Sequence, residues 1–446
     1  MTGGFIQLVA RGVQDSHLTG NPQMTFFKTV HHKHTNFSIE SIKQVFDGDI
    51  TINESKVSST ISRNGDLLSN LWLDVLMDTT GASDDITTNT NWTINTGHAF
   101  VKKCDIKIGG QLIDEHNDKW LDIWNSLTDK NNDEYIGLNK NQKSYLETSG
   151  SIRDNTSTKH KNIQLYIPLK FWFCRDVGLS LPLVALQYHH VQLDFTFRKI
   201  NALLNSDITS SLTGSATSIT EPPVVNLWGD YIFLDTDERR RFAQMSHEYL
   251  IEQVQMIECK GDGGLTNVDL KLNHPVKELI WVNQDSNVLI EKEFPDTNIN
   301  SVANKTDIHN VVTLNNNNDY FCYMTADNNM TNYSSEYIHG HFSNESFSNM
   351  TIKLNGRDRF HKRKASYFRL CQPLQAGHKI PEKHIYCYSF ALKPEDHQPS
   401  GSCNFSRIDN ALMVFDQLAQ GNLTIYAINY NILRITSGMG GLEFSN

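Results

Sequence analysis

No stretch of this 446-residue chain approaches the ~18 consecutive apolar residues of a membrane span, so no transmembrane segment is expected. There is no Cys-x-x-Cys pair either. The seven cysteines, at 104, 174, 259, 322, 371, 387 and 403, are odd in number and scattered. That argues against a zinc site or a disulfide framework and for reduced thiols in a cytosolic setting. Positive charge is in short supply: 40 basic residues face 50 acidic ones, for a formal charge of -10. Wrapping nucleic acid needs a positive surface, so direct nucleic-acid binding is not expected. The opening MTGGFIQLVARG has no basic region ahead of a signal-peptide core, and Gly is not at position 2 where myristoylation needs it.

What is present is a periodicity of two. VQLDFTF alternates Val191, Leu193, Phe195 and Phe197 against Gln192, Asp194 and Thr196. LWLDVLMD sets Leu71, Leu73, Val75 and Met77 on one face, and CDIKIGG does the same with Cys104, Ile106 and Ile108. These patterns predict half-buried strands. HIYCYSFAL, from His384 to Leu392, is apolar on both faces, so a cover is expected on each side of it. Gly109-Gly110 and Asn355-Gly356 supply the positive φ of tight hairpins.

Helices are few. NDKWLDIWNSL places Trp120, Trp124 and Leu127 on one stripe, with Asn117 as N-cap. DTDERRRFAQ, from Asp235 to Gln244, puts acids first and arginines later, as the helix dipole prefers. After this helix the chain restarts: in NFSIESI and EYLIEQV, Phe37 answers Tyr249, Ile39 answers Ile251, Glu40 answers Glu252 and Ile42 answers Val254. The constant offset is about half the chain, which predicts two similar β domains joined near Asp235 to Gln244. Three stretches read as long surface loops: Asp129 to Lys161, Asn201 to Pro223, and the asparagine-rich Asn298 to Asn349.

The search for chemistry returns little. FFKTVHHKH holds His31, His32 and His34 beside Lys28 and Lys33. HGHFSNE has the cupin spacing of His339, His341 and Glu345, but lacks the flanking glycines and the later histidine segment of that family. DKNNDEYIG begins like a calcium loop, but Glu134 stands where Gly is needed and Lys140 where the bidentate Glu belongs. His189-His190 lacks a nucleophile signature, and DERRR fits a salt-bridged linker better than a phosphate grip. No catalytic residue, metal site or cofactor is expected. A cupin-like metal-dependent enzyme and a carbohydrate-binding β-sandwich stay as alternatives. Of eleven N-x-[ST] sequons, Asn304, Asn332, Asn344 and Asn349 are candidate glycosylation sites on the long loop.

Words spread from end to end carry a resemblance. They include GGFIQLVARGVQDSHLTGNPQMTFFKTVHHKH, IGGQLID, GLSLPLVALQYHHVQLDF, YIFLDTDERRRFAQ, LNHPVKELIWV, LNGRDRF, SGSCNFSRIDNA and the closing GMGGLEFSN. The chain resembles the major capsid proteins of the nucleocytoplasmic large double-stranded DNA viruses, and only the variable loops lack a counterpart. The resemblance implies an all-β fold of two consecutive eight-stranded jelly rolls, with a few short helices and long surface loops. It divides the chain into an N-terminal arm 1–25, a first jelly roll 26–236, and a second 237–446 that begins with the linker helix and ends in a tail.

It further implies a homotrimer that forms a pseudo-hexagonal capsomer, and capsomers that tile an icosahedral virion shell. Minor capsid proteins and internal membrane-associated proteins are then partners on the inner face, and assembly takes place in the host cytoplasm. Family members often carry Tyr-Arg-Arg where this chain has His31, His32 and Lys33. The cluster Lys28, His31, His32, Lys33 and His34 is therefore expected as a basic inner-face stretch, with charge that rises below about pH 6.5, where imidazole ordinarily titrates.

Overall fold

The alternating stretches are strands, and their alternation is one of burial. Val191, Leu193, Phe195 and Phe197 are buried, and the residues between them are half-buried. Leu71 to Met77 and Cys104 to Ile108 repeat this. The structure, a computed structural model, describes residues 3–10, 12, 19, 21–29, 31–77, 90–93, 95–128, 163–206, 221–261, 267–284, 320–321, 323, 345–381 and 383–444.

In chain order the first half contains α1 (Gly3–Val9), β1 (Phe37–Gln44), β2 (Ser55–Thr60), β3 (Leu67–Met77), β4 (Thr90–Trp92), α2 (Thr96–Phe100), β5 (Val101–Ile108), β6 (Gln111–Asn117), α3 (Asp118–Thr128), β7 (Ile163–Pro168), β8 (Leu181–Pro182), β9 (Val191–Phe197), β10 (Leu204–Ser206) and β11 (Val224–Leu234). The second half begins at α4 (Thr236–Gln244). It continues with β12 (His247–Gly261), β13 (Asn267–Asp269), β14 (Pro275–Gln284), β15 (Asn349–Leu354), β16 (Arg357–Asp358) and β17 (Arg363–Lys364). A π turn Tyr367–Cys371 leads into α5 (Gln372–Ala376), and β18 (Tyr386–Ser389), β19 (Cys403–Asn404), β20 (Ala411–Asp416), β21 (Gly421–Thr436) and β22 (Met439–Leu442) complete the chain.

The two halves repeat one topology. In the first, the sheet β1-β11-β3-β7 packs against β2-β9-β5-β6. In the second, β12-β21-β14-β18 packs against β13-β20-β15-β16. Strand for strand the orders correspond, and β3-β11, β2-β9, β5-β9, β12-β21, β14-β21 and β15-β20 all pair antiparallel. This is the jelly-roll sandwich, present twice. The sequence echo falls where the repeat demands: β1 and β12 are the opening edge strands of equivalent sheets.

By packing, Met1–Phe37 forms one unit and Ser38–Asn446 another. The first carries α1 with Phe5, Ile6, Leu8 and Val9 exposed. The second contains both sandwiches. The sheet β12-β21-β14-β18 is a wall between two cores. Ile280, Val282, Ile385, Cys387, Tyr426 and Ile428 join the core of the first sandwich. Their alternates Leu279, Trp281, Tyr386, Tyr388, Ile425 and Ala427 join that of the second. That is why HIYCYSFAL is apolar on both faces.

Both hairpin expectations hold. Gly109 and Gly110 have φ 57° and 83°, and Asn355 and Gly356 have φ 50° and 79°. Asp235 caps α4, its side chain accepting from Thr236 N. Two expectations need correction. The stretch Asn298 to Asn349 is not all surface: Tyr320, Phe321 and Tyr323 are buried in the first core, and Asn349 opens β15. Likewise Asn201 to Leu203 belong to a 3-10 turn, followed by β10. A few aromatic rings bury enough area to dock a segment whose composition is otherwise polar. The helices α1, α2 and α5 have no signature in the sequence because five to seven residues are too few to show a helical period.

Candidate functional site

The chemistry-bearing side chains of this chain converge on the wall, where they join its halves. Asn117 holds the start of α3 by accepting from Trp120 N at 2.8 Å. The same Oδ1 accepts the Tyr426 hydroxyl at 2.9 Å, so one amide caps a helix and ties it to the second sandwich. The Trp120 ring lies 5.3 Å from that of Tyr426. Further along α3, Asp122 accepts from Lys383 Nζ at 2.7 and 2.8 Å, from Asn95 Nδ2 at 2.6 Å and from Tyr323 OH at 3.3 Å. On the edge of the first sandwich, Asp114 Oδ1 accepts from Val254 N at 3.0 Å, and the Gln253 amide donates to Ile113 O. The Tyr320 hydroxyl donates to Ala202 O at 2.6 Å, and the Arg198 guanidinium lies 4.3 Å from the centre of the Tyr320 ring.

Two charged groups, Lys277 and Glu278, sit side by side near the start of β14, both fully buried. Lys277 binds Glu252, which also binds Arg175. The Lys277 ammonium donates to Pro394 O at 2.6 Å, and Arg175 stacks over the Trp124 ring at 4.4 Å. Burial pulls the Lys277 ammonium below the ordinary lysine range, while Glu252 opposes that shift. Its neighbour Glu278 lies 3.0 Å from His378 Nε2, and Glu395 lies 2.7 Å from His378 Nδ1. Burial disfavours the imidazolium, but the two carboxylates outweigh burial and raise His378 to about 9. His384 shows the opposite balance, with burial lowering it to about 4. The thiols of Cys104 and Cys387 are pushed well up by burial, which makes them poor nucleophiles. The charged groups among these are paired and desolvated, an arrangement that fixes the geometry of the wall.

The residues singled out in the sequence do not gather into a site. His31, His32, Lys33 and His34 are exposed in irregular chain ahead of β1, with Lys28 exposed before them. His34 Nδ1 lies 2.7 Å from Thr35 O. Among the described residues, no group of three His, Cys, Asp or Glu side chains could hold a metal. Glu345 is engaged by Arg369, at 2.8 Å from its Nη2, and by the Tyr386 hydroxyl at 2.9 Å; His339 and His341 lie outside the described residues. Asn349 is the half-buried first residue of β15, whereas Asn304, Asn332 and Asn344 lie outside the described residues. His189 sits under the closing hairpin, its Nδ1 2.8 Å from Gly440 O, and Arg239 of the linker helix binds Asp66 at 2.8 Å. No described helix is long and apolar enough to cross a membrane.

The wall residues themselves, Glu252, Arg175, Asp122 and His378, were missed in the sequence. One signal was available: VKELIWV sets adjacent charges inside a strand apolar on both sides, and buried charges require partners.

A doubled sandwich whose ionisable groups join its halves defines a double jelly-roll building protein. The comparisons give its family. Residues 25–235 match the family described as the major capsid protein N-terminus, and residues 238–441 match the large eukaryotic DNA virus major capsid protein. The chain is 38% identical to the major capsid protein of Pyramimonas orientalis virus and 37% identical to that of Paramecium bursaria Chlorella virus 1, covering 100% of both chains in each case. A quasi-atomic capsid structure of the latter virus superposes with a TM-score of 0.71 at 33% identity, over 95% of this chain and 100% of that one. The Faustovirus major capsid protein, 12% identical, shares the fold with a TM-score of 0.66 over 96% of this chain and 94% of its own. This chain belongs to the major capsid protein family of the large eukaryotic DNA viruses. Its role is structural, in the capsid, and it is not an enzyme.

Proposed function

We propose that three copies of this chain close into a trimer whose six sandwiches form a pseudo-hexagonal capsomer, and that capsomers tile an icosahedral shell. The observation that carries this reading is the matched strand order of the two halves, held together by a shared wall. A rigid pair of near-equal units turns three chains into six near-equal sides, and closed rings are the usual outcome of a head-to-tail contact whose rotation closes. The division into arm 1–25, first jelly roll 26–236 and second jelly roll 237–446 belongs to the same reading. So does assembly in the host cytoplasm.

The connections 78–89, 129–162, 207–220 and 285–319 leave from the same ends of their sheets, as the pairings Leu76 with Val224, Met77 with Ile163 and Gln284 with Asn422 require. We assign that end to the outside, with Asn304, Asn332, Asn344 and Asn349 as glycan acceptors. We assign the arm and its basic stretch Lys28, His31, His32, Lys33 and His34 to contacts with minor capsid proteins and internal membrane-associated proteins. Light scattering of the purified chain tests the reading: a trimer that persists on dilution is expected, and a stable monomer at micromolar concentration overturns it.

A further inference from the structure

Asp122, on α3, holds two partners that can react with each other. It is 1% exposed, and its Oδ1 accepts from Lys383 Nζ at 2.7 Å and from the Asn95 amide Nδ2 at 2.6 Å. An amine, a carboxamide and a carboxylate thus meet at one oxygen atom. The Tyr323 hydroxyl lies 3.3 Å from the other oxygen, and Lys383 Nζ lies 5.1 Å from the centre of the Phe321 ring. The reacting groups come from different halves of the chain: Asn95 precedes α2, and Lys383 leads into β18 of the wall. An ion pair accounts for Lys383 and Asp122 but not for Asn95. Asn95 stands at the N-cap of α2, where an Asn side chain ordinarily accepts from the first N–H groups of the helix, yet it makes no such bond. Its backbone is held in the left-handed region at φ 52°, and its amide is turned to Asp122 instead. The buried pair of Lys277 and Glu252 makes the contrast, because its third member is Arg175, which has no acyl group to offer.

We propose that Lys383 and Asn95 join in an isopeptide bond, which the folded chain forms by itself with Asp122 as the proton carrier. The Lys383 ammonium passes a proton to the Asp122 carboxylate, and the neutral Nζ attacks Cγ of Asn95. Asp122 hands that proton to Nδ2 and takes a second one from Nζ. The Cγ–Nδ2 bond then breaks, and the nitrogen leaves with the second proton as ammonium. One Cγ–Nζ amide bond is gained, one Cγ–Nδ2 bond is lost, and the carboxylate is restored. No oxidant, reductant or further reactant is consumed. The step is intramolecular between groups held on one oxygen, which is the situation in which a sluggish acyl transfer becomes fast enough to complete. It happens once per chain, so it is a self-modification and not turnover. The bond ties the segment ahead of β5 to the strand β18, so the two halves of the subunit stay joined even when unfolded. The inference does not depend on the trimer reading.

Mass spectrometry of the full-length chain, purified folded and then denatured, is the test. The wild type is expected to be lighter than its sequence by one ammonia, and its digest to contain a branched peptide that carries both Asn95 and Lys383. Lys383→Arg keeps a positive charge beside Asp122 but offers no amine, and Asn95→Ala removes the acyl group. Both variants are expected to fold, to show the full mass and to give only linear peptides. Asp122→Asn, which keeps the shape and loses the proton carrier, is expected to lose the branched peptide as well. Should a variant fail to fold, the wild type alone decides. A folded wild type of full mass that yields no branched peptide after prolonged incubation overturns the proposal. An ammonia loss that persists in Lys383→Arg, with no branched peptide in the wild type, overturns it too, because the ammonia then comes from elsewhere in the chain.

Discussion

His378 and His384 pull the stability of this protein in opposite directions. His378 lies between Glu278 and Glu395 and holds its proton to about pH 9, above the ordinary imidazole value of 6.5. Its stabilising contribution is therefore full below pH 6.5 and is lost as the pH rises from 6.5 to about 9. His384, lowered to about 4 by burial, favours a fold that keeps it neutral. Stability tied to it is full above pH 6.5 and is lost as the pH falls from 6.5 to about 4. Melting temperature against pH is expected to peak near neutral and fall on both sides, each limb being worth on the order of 3 kcal/mol. His378→Gln should flatten the alkaline limb and His384→Gln the acid one; unchanged limbs would refute the assignment. Glu252 offers a second test at this scale. Glu252→Gln leaves Arg175 and Lys277 facing each other without a carboxylate and is expected to cost about 3–5 kcal/mol in urea unfolding. Lys277→Met leaves Glu252 paired with Arg175 and should cost less. None of these partners is near another in sequence. Lys277 and Glu278 were visible as charges in an apolar strand, but nothing in the order of residues pointed to Arg175 or His378.

At the scale of elements, local rules did well where they act within a few residues. The N-cap at Asn117 and the period-two strands follow from short-range chemistry, and so do the two hairpins. Asn117→Ala removes the cap, about 1 kcal/mol, and also strips the buried Tyr426 hydroxyl of its acceptor, about 1–3 kcal/mol more. Asn117→Asp, which keeps the oxygen, should recover most of the loss in a thermal melt. The hairpin at Gly109-Gly110 separates conformational strain from crowding. A Cβ at Gly110 meets nothing within 4 Å, so Gly110→Ala should cost only its positive φ, about 1 kcal/mol. A Cβ at Gly109 falls 2.4 Å from the His189 ring, so Gly109→Ala should cost clearly more and displace the histidine. Equal losses at the two positions would refute the crowding. Elements that owe their shape to distant packing were not legible. The DYFCY segment reads as part of a polar loop until Asp122, Ala202 and Gln284 supply its partners.

Across the whole molecule, the halves are two sandwiches but not two independent cores. The first core takes in Ile251, Ile280, Tyr323, Cys387 and Tyr426 from the second half. Residues 26–236 expressed alone are therefore expected to bind a hydrophobic dye and to lack a cooperative melt, with co-expression of residues 237–446 restoring both solubility and a sharp transition. A sharply melting isolated first half would contradict the shared wall. By itself the sequence determined the all-β character, the doubling, the linker helix and the family. Those depend on alternation, capping and repeated words, each readable from neighbours along the chain. Only the tertiary structure decided which face of which sheet became the wall and which charges it enclosed. Those outcomes depend on side chains brought together from distant parts of the chain, 77 positions apart for Arg175 and Glu252 and 309 for Asn117 and Tyr426, and burial of that kind has no local signature.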